Sequence, residues 1–119
     1  MSAKKILYIF TQAPYSNSAG IEGLDATLIG AAFDQEVSVL FINNGVFQIK
    51  DKQASKTLVK QFTKTFKALN DFGVEHIYVD ELSMAARGLS CSELICDVQS
   101  LETEQVKELI AQQFRVFTF

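Results

Sequence analysis

The chain has 119 residues and a mass of 13.3 kDa, which fits one domain and excludes separate catalytic and substrate domains of about a hundred residues each. With 48% hydrophobic and 21% charged residues, one Pro, six Gly and a mean hydropathy of +0.13, it is too apolar for disorder and too poor in Gly and Pro for collagen-like or low-complexity architecture. No run approaches the roughly 20 apolar residues of a membrane span, and a net charge of -3 supplies no global field to hold nucleic acid.

The segment Lys5 to Phe10 is β-branched, aromatic and nearly continuous in apolar character, which predicts a central strand covered on both faces. Its apolar run stops at Thr11 without a cleavage site, so it reads as a strand and not a signal peptide. A cytoplasmic protein with reduced thiols is the expectation. The loop Thr11 to Ala19 holds Pro14, Asn17 and two serines, all turn formers. From Gly20 to Phe33 the positions Ile21, Leu24, Leu28, Ala31 and Ala32 recur at three and four, the period of a helix. Ser18 is its expected N-cap. Gly20, Gly23 and Gly30 would let that helix approach the sheet or another subunit closely.

Val37 to Ile42 predicts a second buried strand, closed by Asn43, Asn44 and Gly45, which tolerate positive φ. A longer helix follows, with Leu58, Phe62, Phe66 and Leu69 on an apolar stripe and Lys56, Lys60, Lys64 and Lys67 on another. Gly73 ends it. Val74 to Val79 reads as a third strand, Leu82 to Arg87 as a short helix stopped by Gly88, and Glu93 to Val98 as a fourth strand. Leu101 to Gln112 reads as a helix and Phe114 to Phe119 as a fifth strand. Strands alternating with helices over short connections predict a three-layer α/β/α single domain, residues 1–119, with a mainly parallel five-stranded sheet.

Chemical signals are sparse. The loop after the first strand lacks both the dinucleotide glycine fingerprint and the phosphate-binding Gly-Lys-Ser/Thr, which disfavours a nucleotide binder. Cys91 and Cys96 are not spaced as a redox or zinc pair. Cys96 lies in an apolar run and reads as core. Cys91 lies in a loop and is the candidate for a stand-alone sulfur carrier or redox protein. His76 is the single histidine and, alone beside Ile77 and Val79, reads as structural and builds no metal site. No hydrolase set is present, and no cofactor or metal is expected.

Lys50, Lys52, Lys56, Lys60, Lys64 and Lys67 surround one helix and read as a solvated face or as a patch for an acidic partner. The ten phenylalanines are mostly core material. Phe47, at a strand end, and Phe117 and Phe119, on one face of the last strand by two-residue alternation, suit a subunit interface as well as a core. The candidate interface is therefore Asn44, Gly45, Val46, Phe47, Phe117 and Phe119.

Three stretches taken together, Ala19-Gly-Ile-Glu-Gly-Leu-Asp-Ala26, Phe41-Ile-Asn-Asn-Gly-Val-Phe-Gln48 and Ala86-Arg-Gly-Leu89, resemble the DsrE/DsrF-like family over essentially the whole chain, and most closely its DsrF-type subunits. The resemblance implies a subunit of a sulfur-relay complex, a heterohexamer built as a dimer of trimers with TusB-like and TusD-like subunits. That complex takes persulfide sulfur from TusA and passes it to TusE, for 2-thiolation of the wobble uridine of tRNA. It also implies that the position of the family's sulfur-carrying cysteine, at the end of the third strand, is occupied here by Asp80. A carboxylate cannot carry a persulfide, because the transfer needs a thiolate. The expectation is a non-catalytic structural subunit with no direct nucleic-acid contact.

Overall fold

The computed structural model describes residues 4–14, 17–33, 35–50 and 62–119. In chain order they form β1 (Lys5–Phe10), α1 (Ala19–Ala32), β2 (Glu36–Phe41), 3₁₀ helices over Asn43–Ile49 and Phe62–Phe72, β3 (His76–Asp80), α2 (Glu81–Ala86), a 3₁₀ turn at Cys91–Glu93, β4 (Gln99–Leu101), α3 (Thr103–Ala111) and β5 (Arg115–Thr118). The strands make one sheet in the order β4-β3-β2-β1-β5, and every neighbouring pair is parallel.

The continuous apolar character of β1 and β2 follows from their central places, since Leu7, Val37, Val39, Leu40 and Phe41 are all sealed from solvent. One face of the sheet carries Tyr8, Phe10, Val39, Phe41 and Val79 against Leu24 of α1 and Phe66 and Leu69 of the second 3₁₀ helix. The other face sets Leu7, Ile9 and Leu40 against Val106 and Leu109 of α3. Helices thus cover both faces of a parallel sheet, as the alternation of elements requires. At the heart of the first face the rings of Phe10, Phe41 and Phe66 meet, with centroids 5.2 to 5.3 Å apart. Gly23 admits this packing: a Cβ there would lie 2.5 Å from the Phe10 ring and 2.9 Å from that of Phe119.

Two expectations are corrected, and the expected N-cap at Ser18 is in place. The segment Glu93 to Val98 is not a strand. Its backbone is tied sideways to the end of the first 3₁₀ helix, through an antiparallel bridge between Leu94 and Lys50 and a 2.8 Å bond from the Ile95 amide to the Ile49 carbonyl. The ladder position is taken by Gln99–Leu101, where only Leu101 is buried. The helix after β2 is a 3₁₀ helix over Phe62–Phe72, in which Phe66 and Leu69, three apart, share the inward side as the tighter period demands. Leu58, Lys52, Lys56 and Lys60 lie outside the described residues. The N-cap of α1 is positioned at Ser18, but its hydroxyl bonds to Glu22 Oε1 at 2.9 Å and gives no side-chain cap. Asn17 Oδ1 instead accepts from the Ala19 amide at 2.8 Å.

Candidate functional site

The carboxyl ends of β1, β2 and β3 converge where open parallel sheets usually meet ligands and partners. Asp80 closes β3 and is the N-cap of α2, in extended backbone at φ -79°, ψ 120°. Its Oδ2 accepts from the Ser83 amide at 3.0 Å and from the Ser83 hydroxyl. That hydroxyl in turn accepts from the Asn43 amide at 2.8 Å, tying the end of β3 to the end of β2. Asp80 and Ser83 are both buried. One carboxylate therefore satisfies the first turn of α2 and, through Ser83, the backbone of a neighbouring loop.

Beside this cap, Arg87 Nε donates to Asn44 Oδ1 at 3.0 Å, and its Nη1 donates to the Ser83 carbonyl at 3.1 Å. Asn43 takes φ 55°, the left-handed conformation that asparagine tolerates, and so turns the chain out of β2. Gly45 then presses onto the Phe10 carbonyl, closer than any Cβ could lie. This part of the site was legible only in outline. The pattern Asp80-Glu-Leu-Ser83 is a helix start, yet the link from Ser83 to Asn43 spans forty residues and has no local signature.

The candidate interface residues separate. Asn44 is exposed and Phe47 half-buried. Gly45 and Val46 are buried, and Val46 belongs to the chain's own core. An interface role for those two is corrected to an internal one, because the 3₁₀ turn faces them inward. The β1–β5 register, with Tyr8 opposite Phe117, puts Phe117 and Phe119 on the α1 side of the sheet. Phe117 stacks on Tyr8 at 5.5 Å yet stays 45% exposed. Phe119 packs toward Phe10 at 6.0 Å and is partly buried. With Tyr8, Ala26, Ile29 and Gly30, these two rings line an apolar groove of about 300 Å³ between α1 and the edge strand. Ile29 in this lining is 60% exposed, and Phe33, just past the end of α1, is 70% exposed.

Cys91 is exposed and Cys96 half-buried, and both line a groove of about 430 Å³ with Lys67 and Asp97. Burial first, and then the neighbouring Asp97 charge, push the Cys96 thiol up to about 11. It is therefore almost wholly protonated at neutral pH.

The family model described as the DsrE/DsrF-like family matches residues 4–119. The chain belongs to the DsrE/DsrF-like family. It is 38% identical to the intracellular sulfur oxidation protein DsrF of Allochromatium vinosum, across 98% of this chain and 96% of that one. It is 34% identical to a TusC homolog of Vibrio parahaemolyticus, across 97% and 98% respectively. The solved ychN protein of E. coli superposes with a TM-score of 0.84 over 98% of this chain and 99% of that one, at 16% identity. The DsrE/DsrF-like fold is thus shared beyond the reach of close sequence similarity, and the DsrF relative is named for intracellular sulfur oxidation.

Proposed function

We propose that the chain is a non-catalytic structural subunit of a TusBCD-type sulfur-relay complex, cytoplasmic, assembled with TusB-like and TusD-like subunits as a heterohexamer. The complex passes persulfide sulfur from TusA to TusE for 2-thiolation of the tRNA wobble uridine. The observation that carries the reading is Asp80. At the end of β3, where the family's sulfur-carrying subunits hold a cysteine, this chain holds a carboxylate engaged with Ser83. It has no sulfur to form or break an S–S bond, and its role there is to hold α2 against β2. The exposed Asn44 and the half-buried Phe47 at this end, and Phe117 with Phe119 at the β5 edge, are the surfaces offered to neighbouring subunits. An exposed apolar edge of this kind suits a lasting interface.

The test is co-expression with its neighbour subunits followed by size-exclusion and mass analysis, together with the 2-thiouridine content of tRNA in a strain lacking the chain. Co-purification and loss of 2-thiouridine support the reading. A chain that stays alone refutes the subunit role, and unchanged 2-thiouridine with impaired sulfur oxidation moves the complex to the pathway named for the DsrF relative.

The second reading, a stand-alone sulfur carrier using Cys91, draws on the exposure of that thiol. It requires persulfide labelling that disappears in Cys91→Ser.

A further inference from the structure

The amino ends of β2 and β3 carry a mixed donor set that the site above does not use. Pairing of Ser38 with His76 puts Glu36, two residues before Ser38, on the same face as His76. Glu75 is held beside them by the hydrogen bond that its amide donates to the Val37 carbonyl at 3.1 Å. One donor atom from each of Glu36, Glu75 and His76 lies within 4.8 Å of the other two, and His76 Nε2 stands 4.0 Å from Glu75 Oε2. The reading of His76 as a lone imidazole fails because a strand forty residues away supplies its companion.

Ligand atoms around a tetrahedral ion with bonds of about 2.1 Å are about 3.4 Å apart. The observed spacings therefore close with shifts of about an ångström, within reach of solvent-facing side chains. The His76 ring stacks on Tyr78 at 5.9 Å and 21°, which holds its plane. Two carboxylates match a divalent charge, and the imidazole nitrogen as third donor selects the zinc class over magnesium or calcium. Strand pairing also sets Lys5 opposite Glu36 in the β1–β2 register.

We infer that Glu36, Glu75 and His76 form a binding site for a divalent cation of the zinc class, with a fourth position open to water, at the end of the sheet opposite Asp80. Four residue steps along β3, from His76 to Asp80, separate the two ends by about 13 Å.

Because His76 is the only histidine, its imidazole NMR signals report the site without ambiguity. The test titrates the full chain with zinc chloride at neutral pH, read by calorimetry and by those signals. The expected result is one zinc per chain, a displaced imidazole resonance, and affinity reduced at least about tenfold in His76→Gln and in Glu36→Gln, each with unchanged far-UV circular dichroism. A Cys91→Ser/Cys96→Ser variant should bind as wild type. Zinc binding that survives His76→Gln but vanishes in the double cysteine variant would assign the metal to the thiols and overturn the inference. An imidazole signal unmoved by excess zinc would overturn it equally.

Discussion

Replacing Asp80 by Ala removes an acceptor that two buried donors share, the Ser83 amide and the Ser83 hydroxyl. Loss of a helix N-cap costs about 1 kcal/mol. The buried Ser83 hydroxyl still accepts from the Asn43 amide, but its own proton is left without the carboxylate, at a further cost of about 1 to 2 kcal/mol. The expected loss in folding stability is therefore about 2 to 3 kcal/mol, read from urea melts of the isolated chain. Asp80→Asn keeps an acceptor oxygen at the same place and should lose no more than about 1 kcal/mol. If the role of Asp80 is architectural, Asp80→Asn also leaves sulfur transfer by the assembled complex unchanged. A change below about 0.5 kcal/mol in Asp80→Ala, or an Asn variant as damaged as the Ala variant, would refute the capping account.

Gly45→Ala forces a Cβ onto the Phe10 carbonyl, which is backbone and cannot rotate away; a loss of about 3 kcal/mol or failure to fold is expected, checked by the same melts. Phe47→Ala should leave far-UV circular dichroism nearly unchanged but weaken association with neighbour subunits in sedimentation. A loss of about 3 to 5 kcal/mol in folding stability with normal assembly would make it a core residue instead. Iodoacetamide at pH 8 should modify the exposed Cys91 well before Cys96, whose thiol sits at about 11 and is roughly a thousandth ionised there. Cys96 labelling should accelerate as pH rises toward that value, and equal rates at pH 8 by peptide mass mapping would contradict this.

The central strands were legible because burial on both faces writes itself as an unbroken apolar run; β1 occupies Lys5–Phe10 as its sequence predicts. The edge was not. β4 is three residues long with Gln99 and Ser100 exposed, so it carries no apolar pattern, while the more strand-like Leu94-Ile95-Cys96 packs irregularly against the core. Local periodicity cannot report which segment wins a ladder position when the competing contact, Lys50 with Leu94, joins distant parts of the chain. The same limit applies at both ends of the sheet. Asp80 could be singled out by position, but its coupling through Ser83 to Asn43, and the approach of Glu36 to His76, exist only once parallel strands are in register.

Sulfur transfer to TusE, measured in a reconstituted complex with the TusB-like and TusD-like subunits, tests the assignment most directly when this chain is supplied as Cys91→Ser/Cys96→Ser. The account predicts transfer equal to wild type with the cysteine-free chain and its loss when the chain is omitted. Transfer abolished by the cysteine substitutions, with the complex still assembled, would contradict a non-catalytic role and move the sulfur onto this subunit.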